Sequence, residues 1–283
     1  MRTAIERTMK SWDGAELAYK VWMPKGKIEK TIMLFHRGHE YSGRWQETVD
    51  ALGMDDTAFF AWDQRGHGQS PGERGSAASI GVFIRDAEAF SRHIMEAYGV
   101  QMENTVVVAH SVGAVVATAW IHDYAPPIRG LFLGAPAFRV KLYVPFAIPF
   151  LRLKQKLLGH GYVRSYVKAK VLTHDPQQAR LYDADPAIFK QISVNILLDL
   201  FDTSSRLIAD AGAMTVPLFV LAAENDWVVK IPPQEEFLRK ASSAMKRFET
   251  LPGFFHAIFH ETERAVVVEK VKGFAADCFA RPY

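Results

Sequence analysis

The 283-residue chain has a single cysteine, Cys278, and so can form no disulfide within itself. A reducing compartment and an inert, packed thiol are expected. No stretch reaches the roughly 18 consecutive apolar residues that a membrane-spanning helix needs. The opening MRTAIERTMKSWDG also lacks the apolar centre of a signal peptide. A cytoplasmic location follows as the expectation, peripheral at a membrane only if part of the surface touches one. The net charge of +3 is too small to suggest a nucleic-acid partner. No G-x-G-x-x-G opens a helix after the first parallel-strand candidate, which argues against dinucleotide binding. Neither H-E-x-x-H nor H-x-x-E-H occurs. His256 and His260 stand four apart with Glu261 beside them, but no third ligand accompanies them. Neither a metal nor a cofactor is expected.

Hydrophobic residues make up 49% of the chain and charged residues 23%, enough apolar material for a large core. Short, nearly unbroken apolar runs recur: TIMLFH (31–36), TAFFAW (57–62), TVVVAH (105–110), LFLGAP (131–136) and PLFVLAA (217–223). Such runs suit strands buried on both faces of a parallel sheet. Ile80, Phe83, Ile84, Ala87, Phe90, Ile94 and Met95 form the apolar stripe of a helix that stops at Gly99. Near the start, IERTMKS and AELAYKVWM flank Asp13-Gly14, the signature of a two-residue hairpin turn. The pattern predicts an α/β protein with a mostly parallel central sheet, an antiparallel start and helices on both faces. The strand rhythm fails between residues 137 and 200, where Pro145, Pro149 and a Gly159-His160-Gly161 break occur. Residues 137–200 are therefore expected to form an inserted helical cap, with 1–136 and 201–283 as the core. The cap would lie over the carboxyl edge of the sheet, where open α/β sheets place their sites.

Ser111 lies in VVVAHSVGAV, between a strand-like run and a helix-like one. A serine hydroxyl is a poor nucleophile unless a base, a group orienting that base and donors for an oxyanion stand near it. A tight strand-to-helix turn exposes the hydroxyl and aims the next backbone N–H at the developing charge. A lone S-x-G is more simply read as small residues permitting a close strand–helix crossing. Two further segments tip the balance: LAAENDWVV ends a strand with Asp226, and LPGFFHAIFHE follows the next strand-like run with His256. The order Ser111, Asp226, His256 is the α/β-hydrolase order.

HRGHEYSGRW (36–45), WDQRGHGQSPGERG (62–75), AHSVGA (109–114), FHAIFHE (255–261) and THDPQQARLYDADP (173–186) together resemble the monoacylglycerol lipase and lysophospholipase branch of the α/β hydrolases. The resemblance covers nearly the whole chain. It implies the α/β-hydrolase fold and an oxyanion hole made by the N–H groups of Gly38 and Val112. The branch usually has His-Gly where this chain has His36-Arg37. In similar lipases the residues matching Glu40 and Arg44 lie at the polar end of the pocket, so this pair is expected either to contact a glycerol-like alcohol or to form an ion pair that fixes the loop. Arg65 and His67 are expected to brace loops, and His110 to pack beneath the turn.

The leading expectation is a serine hydrolase that cleaves a small lipid ester, a monoacylglycerol or lysophospholipid, through an acyl-enzyme. Ser111 is the nucleophile, His256 the base and Asp226 its orienting acid. Phe138, Leu142, Tyr143, Val144, Phe146, Ile148, Phe150 and Leu151 would line the acyl site or form an ordinary cap core. An aminopeptidase-like or small-ester hydrolase remains as an alternative. It is disfavoured because a peptide N-terminus wants a carboxylate and residues 137–174 contain none. A non-catalytic lipid-binding or partner-binding domain is the third reading. Arg139, Lys141, Arg152, Lys154, Lys156, Arg164, Lys168 and Lys170 give the cap a run of positive charge. That run is either a solvated face or a surface making transient contact with anionic membranes. The oligomeric state has no signal in the sequence.

Overall fold

The computed structural model describes residues 2–159 and 161–281; His160 of the glycine-flanked break lies outside the described residues. The chain opens with strands β1 (Ile5–Lys10), β2 (Glu16–Trp22) and β3 (Lys30–Phe35), then α1 (Gln46–Leu52) and β4 (Thr57–Trp62). Next come α2 (Ile80–Tyr98), β5 (Thr105–His110), α3 (Val112–Tyr124) and β6 (Gly130–Gly134). An irregular region follows, with α4 (Ala147–Leu158), β7 (Tyr162–Arg164), α5 (Pro176–Ala184), β8 (Gln191–Ser193) and α6 (Val194–Ala209). Finally β9 (Leu218–Ala223), α7 (Pro232–Lys240), β10 (Lys246–Leu251) and α8 (Arg264–Ala280) rebuild the alternation.

Eight strands form one sheet in the order β1-β2-β4-β3-β5-β6-β9-β10. The pairs β1/β2 and β2/β4 are antiparallel and the other pairs parallel, so the sheet starts antiparallel and continues parallel as the pattern predicted. The unbroken apolar runs have a direct cause: alternate residues enter different cores. Met33 and Phe35, Phe60 and Trp62, Val107 and Ala109 face the helices α2, α3, α6 and α7. Ile32 and Leu34, Phe59 and Ala61, Val106 and Val108 face α1 and α8. A strand buried on both faces needs no polar positions. Cys278 on α8 packs in the second core, where burial pushes its thiol up to about 12. Among the described residues no helix is long and apolar enough to cross a membrane.

α2 carries the expected stripe except for Met95, which is exposed, and ends at Gly99, whose φ of 67° suits a left-handed cap. The first hairpin is one residue longer than expected. Ser11 and Ala15 close it through a 2.8 Å bond from Ser11 N–H to the Ala15 carbonyl, leaving Trp12, Asp13 and Gly14 in the turn. Gly14 at φ 84° takes the left-handed position that a three-residue turn requires. The expected cap end at residue 200 falls inside α6, a continuous helix. Its Val194, Leu197 and Leu198 pack with Leu151 of the cap, whereas Leu207 and Ile208 belong to the main core. Cap and core therefore share this helix, because one apolar stripe serves both layers.

The crossing from β5 into α3 is close. A Cβ on Gly113 would lie 2.2 Å from the His36 carbonyl oxygen and 2.8 Å from that of Phe35. α3 therefore seats directly on β3, and both obstructing atoms are backbone. Gly113→Ala should destabilise the protein by about 1–3 kcal/mol through overpacking, measured by urea unfolding. An unchanged midpoint would mean the helix has room to shift.

Candidate active site

Ser111 is the residue between β5 and α3, held at φ 57° and ψ −117°, outside the usual regions for an L-residue. Its N–H donates to the Gly134 carbonyl (3.0 Å), and its carbonyl accepts from Ala137 N–H (3.1 Å). Small Ala109 and Gly113 flank the turn on its two sides. The first N–H groups of α3 have no carbonyl one turn back to bond, so Val112 N–H is available beside the serine. Gly38, in the loop after β3, lies against Val112: a Cβ on it would sit 3.1 Å from Val112 Cγ2.

The structure brings the three separated residues together. Ser111 Oγ lies 2.8 Å from His256 Nε2, and His256 Nδ1 lies 2.7 Å from Asp226 Oδ2. All three are buried. Asp226 Oδ1 accepts from the N–H groups of Val228 (2.7 Å) and Val229 (2.8 Å), which leaves Oδ2 for the imidazole. Glu224, the nearest acidic neighbour in sequence, instead accepts from Gly253 N–H at 2.8 Å.

The loop carrying His256 is anchored by a carboxylate that the sequence presents only as a neighbour of His260. Fully buried Glu261 accepts from Phe255 N–H (2.9 Å), from His174 N–H (2.9 Å) and from the His174 ring at 3.1 Å. The FHAIFHE motif contained it, but only its reach to residue 174, far away in sequence, shows what it does. His110 does more than pack: its Nε2 lies 2.9 Å from the His256 carbonyl, so the ring donates there and braces the base loop. Burial holds His110 well below the usual histidine range, so it is neutral. His260 turns away from His256, its Nε2 lying 3.1 Å from the Arg44 carbonyl, and burial pushes it down to about 4.

Glu40 and Arg44 do not line the cavity beside Ser111. Glu40 is buried between two guanidinium groups, 2.8 Å from Arg37 Nε and 3.2 Å from Arg44 Nε. Burial alone would push its carboxyl up, but the Arg37 and Arg44 cations overcome this and hold it well below the carboxylate range. Arg44 also donates to Gln178 on α5 (3.1 Å). Of the two expectations for this pair, the geometry is that of the loop-fixing ion pair. Arg37, which replaces the small residue usual at this position, stacks over the Tyr182 ring at 4.9 Å. Arg65 bonds to Asp13 and Asp86 and braces the first hairpin against α2.

Ser111, His256, Gly38 and Val112 open into a cavity of about 480 Å³. From the cap, Leu142, Tyr143, Val144, Phe150 and Leu151 reach it. The other expected contacts do not: Phe138 is in the core against Phe237, Ile148 packs inside the cap, and Phe146 is 83% exposed. The polar lining includes Arg37, His39, Gln64 and His67. Loss of solvent pushes His39 and His67 down to about 3, so both rings are neutral. His39 occupies the left-handed region at φ 70°, and its buried Nδ1 has no hydrogen-bond partner among the described residues.

Residues 26–263 match the serine aminopeptidase S33 family. The chain belongs to this hydrolase family, whose lipase-like members share the α/β-hydrolase fold seen here. The Escherichia coli protein YnbC is 48% identical over 271 residues, which is 95% of this chain and 46% of YnbC. The chain thus spans less than half the length of that relative. A monoacylglycerol lipase of Mycolicibacterium smegmatis is 24% identical over 95% of this chain and 96% of its own. A soluble variant of monoglyceride lipase from Saccharomyces cerevisiae, solved with a substrate analog, superposes with a TM-score of 0.83 at 20% identity, covering 98% of this chain and 97% of that one.

Replacing Glu40 by Gln leaves Arg37 buried without its carboxylate and should cost about 3–5 kcal/mol of stability, read from denaturant unfolding. Unchanged stability with a raised KM for a glycerol ester would instead make Glu40 a substrate contact.

Proposed function

We propose that the chain is a serine hydrolase that cleaves carboxylic esters of lipids, monoacylglycerols or lysophospholipids, through an acyl-enzyme. The observation that carries this reading is the hydrogen-bonded chain Ser111–His256–Asp226 opening into a largely apolar cavity. Ser111 Oγ attacks the acyl carbon as its proton passes to His256 Nε2, and Asp226 stabilises the imidazolium that forms. The N–H groups of Gly38 and Val112 take the charge on the former carbonyl oxygen. Collapse breaks the ester bond, and His256 returns the proton to the departing alcohol. Water then repeats the sequence on the acyl-enzyme and releases the fatty acid. No cofactor enters the scheme.

The cavity supports a lipid substrate by its chemistry. Leu142, Val144, Leu151, Ile196, Leu197 and Leu200 offer an acyl chain an apolar wall. The described lining contains no aspartate or glutamate, which weighs against an aminopeptidase needing to hold a cationic N-terminus. The neutral rings of His39 and His67 beside Gln64 suit the hydroxyl groups of an alcohol. The names of the M. smegmatis and yeast relatives agree with this reading. A purely lipid-binding domain gains nothing from an activated serine.

Transient contact with anionic membranes belongs to the same reading, though its surface differs from the simple basic run. Arg139 bonds to the Phe201 carbonyl and Ser205, Lys141 to the Asp226 carbonyl, and Arg152 to Asp202, so these three are already engaged. What α4 presents outward is apolar: Phe146, Phe150, Leu153, Leu157 and Leu158 are exposed, with Lys154 and Lys156 between them. Phe150 also lines the cavity, which puts its mouth beside this face. An amphipathic surface of that kind binds lipid headgroups through cations and acyl chains through apolar side chains.

Ser111→Ala should abolish ester turnover and fluorophosphonate labelling while the protein stays folded, and Asp226→Asn should lower kcat by about 10⁴. Labelling that persists in the alanine variant would move the chemistry to another residue. Near-normal turnover by Asp226→Asn would reduce Asp226 to a loop-capping carboxylate.

Binding to anionic vesicles should exceed binding to neutral ones and weaken with salt. A Lys154→Glu, Lys156→Glu variant should lose activity on vesicle-borne substrate but keep it on a soluble short-chain ester. Equal losses on both would assign these lysines to the structure of the cap.

A further inference from the structure

The acid loop is held from an unexpected side. It leaves β9 and carries Asp226, Trp227 and Val228, and each of these offers its carbonyl oxygen to the start of the cap. Lys141 Nζ donates to the Asp226 carbonyl and Tyr143 Oη to that of Trp227 (2.7 Å). Lys141 N–H donates to Val228 at 2.8 Å. Val140 and Val229 form an antiparallel bridge, and Lys230 N–H returns a 2.9 Å bond to the Arg139 carbonyl. Tyr166 closes the arrangement: its hydroxyl donates to the Lys141 carbonyl at 2.6 Å, and its ring meets Tyr143 edge-on at 5.2 Å.

We propose that Lys141, backed by Tyr143 and Tyr166, is a positioning residue that orients Asp226 for His256 by clamping the carbonyl edge of the acid loop. The claim rests on the serine hydrolase reading for its kinetic consequence. Asp226 keeps Oδ2 on His256 because Oδ1 is occupied by the N–H groups of Val228 and Val229. Those donors stay in place only while the loop keeps its path. A carbonyl on a loop near the surface would otherwise turn toward water. A charge-assisted bond from an ammonium is the strongest of the three holds on these carbonyls. The clamp is also part of the cavity wall, since Val140, Tyr143, Tyr166 and Val228 line it. Tyr143 and Tyr166, which would touch substrate, thus also back the residue that sets the acid. Movement of the cap at this point would loosen Asp226 as well as open the cavity.

The test uses the full chain and a soluble short-chain p-nitrophenyl ester, so that membrane contact plays no part. Lys141→Met should lower kcat about ten- to a hundredfold, the cost of a small misplacement in a catalytic group, with KM nearly unchanged. Lys141→Arg, which restores the cation and its donors, should recover most of the loss. Tyr166→Phe keeps the ring, removes only the hydroxyl and should lower kcat in the same sense; it serves as the test if Lys141→Met fails to fold. The downfield proton NMR resonance of His256 Nδ1–H should be sharp in the wild type and Lys141→Arg and broadened in Lys141→Met. Wild-type kcat in both Lys141→Met and Tyr166→Phe, a loss confined to KM, or an arginine variant as slow as the methionine variant would each overturn the proposal. A wild-type protein that turns over no ester would sink the hydrolase reading. In that case the resonance decides the positioning claim by itself: a response to Lys141→Met sustains it, and none overturns it.

Discussion

Ser111 is held at φ 57° and ψ −117°, a conformation that an L-residue keeps only when its surroundings enforce it. Such strain costs about 1–3 kcal/mol, and the sheet around it supplies the constraint. The serine N–H is tied to β6, its carbonyl to the segment after β6, and α3 is locked on β3 where Gly113 leaves no space. A relaxed backbone would turn the hydroxyl away from His256 and move Val112 N–H away from Gly38. The parallel strands thus do more than build a core: their carboxyl ends fix the one turn on which the rest of the site is assembled.

The partners of Ser111 reach it on loops, and loops need outside support to hold a 2.7 Å hydrogen bond. That support comes from two segments of the inserted region. Residues 139–143 pair with the acid loop, and residues 172–174 with the base loop, through Glu261 and through the 2.8 Å bond from Ala257 N–H to the Leu172 carbonyl. The cap is therefore a wall for the cavity and a brace for the two loops at once. α6, half in each layer, joins this brace to the core.

Charge is distributed in the same economical way. Glu40, in the loop after β3, is spent on Arg37 and Arg44, and the rings of His39 and His67 at the cavity are neutral because they are shielded from water. Arg37 at the cavity is already paired with Glu40, so an apolar chain can lie against the predominantly apolar wall without leaving that cation unpaired. The face that α4 turns outward combines apolar side chains with lysines, the opposite arrangement to the cavity it covers.

Much of this was legible in the linear chain, for a physical reason. Strands buried on both faces must be apolar at every position, so the runs from Thr31 to Ala223 announced the parallel sheet. The turn at Ser111 needs small neighbours, so Ala109 and Gly113 marked it. Asp226 and His256 follow strands, so their order along the chain was readable too. What sequence reading left open or misplaced lay where partners come from distant segments. Glu40 and Arg44 look alike whether they bind an alcohol or each other, and the burial of Arg37 beside them gives the geometry of an ion pair. Phe146 and Leu151 are both apolar residues of the cap, yet one faces solvent and the other the cavity, because the direction in which α4 packs is set by α6. The roles of Lys141 and Glu261 arise wholly from chain crossings, Lys141 with a loop 85 residues away and Glu261 with one 87 residues away. Local pattern determined the elements and the order of Ser111, Asp226 and His256 along the chain; tertiary packing alone decided their neighbours, because a side chain's partner is fixed by which surfaces meet and not by what stands beside it in sequence.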